Sequence, residues 1–530
     1  MARTKLFARL TRLIQIAHEG GHNLDFAGSA PDHSRRDFLE KLAFGSLLAT
    51  SGMPMLSGCS HLPTLNYDAV VILGGGISGL TAAYFLSRAG IPCSIYESSS
   101  RLGGRMYTCG EFNFEGMTCE LGGEFVDTRH HDLRNLCREL GIAVDQFSTE
   151  DQGLEQDLYY FSGQYYTDRD VARGLKNFIP QFLHDQKMSL AQIDRLSLED
   201  YLRTIKGVDK WLIDLFRISY VGEFGLESDD QSALFFFWTF APGRQGEDLS
   251  LFGEGDASGR IRGGNRALIS ALEDKLIQLG VPIFREHALV SFTAGGSDLK
   301  LTFTNGLVTK SVKARQAICT IPFSVLRNID GIKSLDLHPL KKRLIFEMAY
   351  GTNSKLMLGY QRKIWRSGAL KRHHPKIPLS TGMVYTDLVS QNLWDSSRLQ
   401  AGKSGILTNF LGGATGASLD RSQAELFYKC VDQIFPGSKN TIDQNIASMN
   451  WSHYSHNLGS YSSLRPGQAS EFGSCGSQTE LGGRLLFAGE HAIDQTYGGF
   501  MNGACRSGRL AAEELIKNLR EKTASVNSVR

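Results

Sequence analysis

The chain has 530 residues, 42% of them hydrophobic and 21% charged, which is ordinary for a globular protein, but the length exceeds what one hydrophobic core serves and implies two successive or interleaved domains. With 57 Lys and Arg against 55 Asp and Glu the net charge is +2, which excludes the electrostatic footprint of a nucleic-acid partner. Beyond Cys59 no apolar run reaches the ~20 residues that span a bilayer, and the nine cysteines form no Cys-x-x-Cys or Cys/His set, so no metal site is expected.

In chain order, Met1 to Ala17 puts Leu6, Leu10, Leu13 and Ile14 on one helical face, with Arg3, Lys5, Arg9 and Arg12 among the remainder. It reads either as a membrane-surface segment or as residues ahead of a misassigned start. Ser34-Arg35-Arg36-Asp37-Phe38-Leu39 precedes the apolar stretch Leu42 to Leu56 and resembles a twin-arginine export signal. Leu56-Ser57-Gly58-Cys59 resembles a bacterial lipobox, in which Cys59 becomes the lipidated first residue. Residues 1–59 are therefore expected to be a leader read by the twin-arginine export machinery, leaving a periplasmic or membrane-anchored lipoprotein whose membrane contact is through leader or lipid alone. That route carries folded chains, which favours reduced, buried thiols in the rest of the protein.

Tyr67 to Leu80 then reads as an apolar strand entering Gly-x-Gly-x-x-Gly at Gly74, Gly76 and Gly79, followed by a helix from Ile77 and Ser78 through Arg88. This is the pattern of a dinucleotide cradle: a tight turn at Gly74, close backbone approach at Gly76, helix-on-strand packing at Gly79, and a helix N-terminus offering free N–H groups and a positive dipole end. A second strand, Pro92 to Tyr96, ends in Glu97, at the spacing where a carboxylate takes ribose hydroxyls.

Beyond Glu97 lie Arg101-Leu102-Gly103-Gly104-Arg105 and Glu120-Leu121-Gly122-Gly123-Glu124-Phe125. Asp151 to about Gly255 is mostly helical, with the aromatic run Phe235-Phe236-Phe237-Trp238. Gly263-Gly264-Asn265-Arg266-Ala267-Leu268 opens a helix through Leu279, and strands follow near Ala288 to Thr293, Leu299 to Thr304 and Ala317 to Ile321. Strands and helices mix from Asp330 to about Ser448. Near the end come Leu485-Leu486-Phe487-Ala488-Gly489-Glu490 and Gly499-Phe500-Met501-Asn502-Gly503-Ala504.

In order and spacing these motifs resemble those of the flavin-containing amine oxidases, which include monoamine oxidases, polyamine oxidases and L-amino-acid oxidases, over roughly Asn66 to Asn518. The resemblance implies an α/β fold in which a Rossmann-like FAD-binding domain of the p-hydroxybenzoate hydroxylase type (66–147, 258–329 and 449–518) is interleaved with a mixed α+β substrate domain (148–257 and 330–448), and a tail over 519–530. It implies cofactor contacts at Gly74, Gly76, Ile77, Ser78, Gly79, Glu97, Arg105, Gly122, Gly123, Val290, Glu490, Gly499, Phe500 and Met501. Some monoamine oxidases attach flavin through a Cys where this chain has Ser460, so FAD is expected to be held non-covalently.

For catalysis the resemblance implies that Tyr461 and Phe500 form an aromatic sandwich for the amine, whose faces attract and partly desolvate it, and that Lys355 holds a water near the flavin. His130, His131, His453 and His491 fit no triad or metal spacing, and His491 is expected at the cofactor's edge. The implied reaction converts a primary or secondary amine to imine, then aldehyde or ketone, with hydrogen peroxide from O2. An L-amino-acid oxidase giving a 2-oxo acid needs a cation for the substrate carboxylate, with Arg129 and Arg244 as candidates. A dehydrogenase passing electrons to a periplasmic carrier is a further alternative, as is a non-catalytic flavin-binding lipoprotein, though the latter has no need of Lys355, Tyr461 and Phe500 together.

Overall fold

Five short parallel strands carry the nucleotide motifs. Their order across the sheet is Leu485–Phe487, Ala317–Cys319, Val70–Leu73, Cys93–Tyr96 and Ile283–Phe284. Val70–Leu73 and Cys93–Tyr96 are buried at every position, as parallel strands covered on both faces must be. The structure, a computed structural model, describes residues 70–240, 257–367, 370, 377–494 and 498–528. The leader with Arg35, Arg36 and Cys59, and also Arg244, lies outside them. All described residues belong to one unit of the chain, and the other, Glu19–Tyr67, lies outside them.

The helix Ile77–Arg88 leaves the first strand as expected. Against it packs the closing helix Met501–Ser528, with Ser507 Oγ 3.3 Å from Ser78 Oγ and Thr81 Oγ1 donating to Cys505 Sγ at 3.6 Å. The closing helix runs on through position 519, where a separate tail was expected, because its regular hydrogen bonding meets no Gly or Pro there. The helix expected from Gly263 spans Asn265–Gln278. The strands expected near Ala288 and Leu299 form a three-stranded antiparallel sheet of Ala288–Gly295, Asp298–Thr304 and Thr309–Ala314.

The mixed region builds a seven-stranded sheet in the order Ile442–Asn450, Ser354–Tyr360, Gly405–Leu411, Asn392–Asp395, Val384–Thr386, Leu158–Phe161 and Gln164–Tyr166. The strand Ile442–Asn450 crosses the 448/449 boundary. Helices pack their aromatic faces nearby: Phe236 contacts the rings of Phe178, Phe216, Tyr201 and Tyr220 at centroid distances of 5.2–5.9 Å. Such rings supply large buried area in edge and tilted contacts, which explains the apolar run at Phe235 to Trp238. Among the described residues no helix is long and apolar enough to cross a membrane.

Candidate active site

The cradle is built by backbone geometry. Gly74 sits at φ +108°, a conformation L side chains rarely adopt, and Thr320 Oγ1 closes over it by donating to Leu73 O at 2.9 Å. A Cβ at Gly79 would come within 2.1 Å of Gly74 O, so only glycine lets the helix start this close to the strand. Gly76 caps the helix without any side-chain hydrogen bond, leaving the first-turn N–H groups to face the cavity at Ile77 and Ser78. Glu97 orders the neighbouring loop: one carboxylate oxygen accepts from Gly75 N at 2.7 Å and the other from Ser99 N at 2.8 Å. The Arg101 Nε is buried on the cavity wall with no partner. An orphan cationic donor, uncapped helix N–H groups and a ribose-type carboxylate on one cavity fit a dinucleotide diphosphate, so the residues present suit FAD.

Gly122, Gly123, Glu490, Gly499, Phe500 and Met501 line the same cavity as Gly74, Gly76, Glu97 and Arg105. Glu490 is fully engaged, by Arg105 Nη1 at 2.6 Å, Ser462 Oγ at 2.7 Å and Gly499 N at 2.8 Å. Burial raises its pKa, yet the Arg105 guanidinium and these hydrogen bonds outweigh that and hold it at about 2. The carboxylate therefore pins the loop before the closing helix to the strand after Tyr461.

Two expected residues lie elsewhere. Val290 is 38% exposed and absent from the cavity wall, which Ala288 and Leu289 line instead. A bulge between Leu289 and Ser291 inserts Val290 as the extra residue and turns it outward. His491 also stands behind the cavity wall, its ring edge-on to Phe323 at 4.5 Å, with burial driving its pKa down to about 3 so that it is neutral.

On the other side of the cavity the seven-stranded sheet delivers Lys355, in register with Phe410 and Met449. Its Nζ donates to Glu124 Oε2 and to Glu120 O, both at 3.1 Å, and lies 5.0 Å from the Trp394 ring centroid. Glu124 also accepts from Trp394 Nε1 at 3.0 Å and Ser396 Oγ at 2.8 Å. Despite desolvation, Lys355 and Arg260 hold this carboxyl below its usual pKa. Glu120, by contrast, is pushed up to about 7 by burial. The sequence displays Glu124 within a motif, but nothing local marks it as the partner of Lys355.

Tyr461 and Phe500 both reach the cavity with Lys355, Phe125, Trp394 and Phe410. The Tyr461 hydroxyl donates to Glu223 O at 2.7 Å, which fixes its ring. Phe500 meets the His130 ring edge-on at 5.3 Å. His130, which fits no triad or metal spacing in the sequence, has a carboxylate beside it: its Nε2 lies 3.2 Å from Asp127 Oδ2, and Asp127 N donates to its Nδ1 at 3.0 Å. Ser460, on the cavity wall, donates its hydroxyl to Asn353 Oδ1 at 2.7 Å. His456, also unforeseen, lines the cavity with its Nδ1 2.9 Å from Ser98 Oγ. Among the described residues no cluster of His, Cys, Asp and Glu could hold a metal ion.

Comparison with known proteins agrees with this geometry. The sequence model of the family described as flavin containing amine oxidoreductase matches residues 77–516. A flavin-containing amine oxidase of Danio rerio is 24% identical, with 86% of each chain covered. An L-amino acid dehydrogenase of Synechocystis sp. is also 24% identical, covering 86% of this chain and 96% of its own. Among solved structures, cyclohexylamine oxidase from Brevibacterium oxydans superposes with a TM-score of 0.69 at 19% identity, over 85% of this chain and 99% of that one.

Proposed function

Because the chain belongs to the flavin-containing amine oxidoreductases and its cofactor is FAD, we propose that it oxidises a primary or secondary amine to the imine, which water releases as aldehyde or ketone plus ammonia or amine, while oxygen takes the two electrons as hydrogen peroxide. The observation that carries this reading is the meeting of Tyr461, Phe500 and Lys355 on one cavity with the dinucleotide cradle. Bound flavin supplies the acceptor for the hydride equivalent on the carbon next to nitrogen. The protein binds and orients. The aromatic rings present apolar, electron-rich faces to the amine, Trp394 and Phe410 exclude water, and Lys355 keeps a fixed ammonium beside the reacting atoms.

An amine is favoured over an amino acid because, apart from the Arg101 Nε that suits the dinucleotide diphosphate, the guanidinium and ammonium groups on the cavity wall among the described residues are already committed. Arg101 donates to Leu102 O and Gly104 O, Arg105 to Glu490, and Lys355 to Glu124. Of the carboxylate-binding candidates, Arg129 does not line the cavity. Anaerobic mixing of the purified protein with a panel of amines and amino acids, following loss of flavin absorbance, tests the reading. Bleaching by amines is expected, and bleaching by amino acids alone would replace it with the amino-acid oxidase. Full bleaching by amines followed by slow reaction with oxygen would make the protein a dehydrogenase.

The leader motifs at Arg35-Arg36 and Cys59 support export by the twin-arginine route and lipid anchoring on the far side of the membrane. FAD acquired before export then travels with the folded chain.

A further inference from the structure

Cys109 and Cys119 face each other in register across the antiparallel strands Thr108–Cys109 and Cys119–Glu120. Directly opposed residues in such a ladder have Cα atoms about 4.5–5.5 Å apart, inside the roughly 4.4–6.8 Å range of disulfides, and their side chains share a face of the ladder. The pairing brings the two side chains together as neighbours, and neither thiol is in a disulfide. Cys109 is half-buried, whereas Cys119 is 1% exposed. Neither lines the cavity. The other six described cysteines are all buried.

We propose that Cys109 and Cys119 are a redox-active dithiol that closes to an intramolecular disulfide when attacked by a small peroxide. Cys109 is the nucleophile because it is the accessible member and two guanidinium groups act on it, Arg266 and Arg421. The Arg266 backbone N–H donates to Thr108 Oγ1 at 3.0 Å, and its guanidinium lies against Gly110, the residue after Cys109, where an added Cβ would meet Nη1 at 1.9 Å. The neighbouring Cys119 thiol and these cations lower the Cys109 pKa to about 7, against the opposing effect of burial, so a thiolate is available at neutral pH.

The chemistry balances. Cys109 sulfur attacks one peroxide oxygen, the O–O bond breaks, and hydroxide leaves as Cys109 becomes a sulfenic acid. Cys119 sulfur then attacks Cys109 sulfur, the S–O bond breaks, and the Cys119 proton leaves with the second hydroxide as water. The dithiol gives up two electrons and two protons, and hydrogen peroxide becomes two waters. Only the idea that the protein makes its own oxidant rests on the oxidase reading; added peroxide serves equally.

The location gives the bridge a consequence. Glu120 follows Cys119, and its carbonyl accepts from Lys355 Nζ at 3.1 Å while its carboxylate accepts from Asn265 N at 2.9 Å. Gly122, Gly123 and Glu124, on the cavity wall, come directly after. Closing the bridge would clamp the hairpin from which this side of the cavity hangs.

The test uses the purified FAD-loaded protein, reduced, freed of reductant and titrated with hydrogen peroxide, then alkylated after denaturation and digested without reduction. Mass spectrometry is expected to find a Cys109–Cys119 cross-linked peptide while the buried cysteines stay alkylated. In Cys119→Ser, Cys109 should accumulate as a sulfenic acid trapped by dimedone. Arg266→Gln combined with Arg421→Gln should slow cross-linking at least about 5-fold at pH 7 by lowering the thiolate fraction. Full alkylation of both residues at peroxide levels that oxidise glutathione would overturn the proposal, as would sulfenic acid on Cys109 with no bridge in the unsubstituted protein. Neither readout depends on amine turnover, so failure here and failure of the amine reading are separable.

Discussion

The Lys355 ammonium stands 3.1 Å from the Glu124 carboxylate, and both side chains are almost wholly buried. One belongs to the seven-stranded sheet and the other to the loop that walls the cofactor cradle, so a single ion pair joins the two halves of the cavity. Buried pairs repay their desolvation only when further hydrogen bonds satisfy both ions. Here Glu120 O serves the lysine, and Trp394 Nε1 and Ser396 Oγ serve the carboxylate.

Lys355→Met roughly preserves length and removes the ammonium. FAD content should stay near normal, since the cradle contacts lie at Gly74 to Ser78, Glu97 and Arg101. In stopped flow the oxidative half-reaction should slow at least ~10-fold, which is about 1.4 kcal/mol of transition-state stabilisation, while the reductive half-reaction changes less because Tyr461 and Phe500 still orient the amine. Unchanged rates in both halves would remove Lys355 from the chemistry. Glu124→Gln leaves a buried ammonium without its counter-ion and should cost roughly 3–5 kcal/mol of stability, read as a lowered midpoint in denaturant.

Flavin attachment depends on Ser460, whose hydroxyl is held by Asn353 and cannot form a thioether. Acid precipitation should release the yellow chromophore into the supernatant as FAD. Colour that stays with the pellet on a peptide would show a covalent bond at another residue.

The cradle was legible in the sequence because its chemistry is written in backbone requirements a few residues apart: positive φ at Gly74, close approach at Gly79, a carboxylate one strand later. The cavity's other wall depends on strand register between distant segments. Trp394 lies 270 residues from the Glu124 it binds, and no local pattern announces that pair. The Asp127–His130 pair was hidden differently, since its two residues are neighbours whose contact depends on how the turn folds. The Val290 side chain is turned from the cavity by a single bulge, where one inserted residue reverses the inward and outward alternation on which strand reading relies.

Export is read from residues 1–59 and is tested in cells. Replacing Arg35 and Arg36 together with Lys should leave precursor in the cytoplasm, because a guanidinium pair and an ammonium pair differ in geometry despite equal charge. Cys59→Ala should separately abolish lipid labelling. Normal export of the double Lys variant would mean the leader has another role.

Glu490 gives the protein a specific acid sensitivity. Its carboxyl, near 4.5 in ordinary surroundings, is held at about 2 in the fold, with the cost of burial outweighed by Arg105. A depressed folded pKa contributes stability that is complete above the ordinary value and is lost as pH falls through the window from about 4.5 to about 2. The carboxylate is buried beneath Ser462 and Gly499, so little solvent screening applies, and the difference of roughly 2.5 pH units corresponds to on the order of 3 kcal/mol. Glu490→Gln should therefore be less stable than the unsubstituted protein at pH 7 and show a flatter fall in Tm between pH 5 and about 3, because the titrating group is gone. It should also bind FAD more weakly, since glutamine keeps only one acceptor oxygen and no charge, so Gly499 N and Arg105 are no longer both held as they are by the two carboxylate oxygens. Parallel Tm curves for the two proteins over that range would refute this account of Glu490.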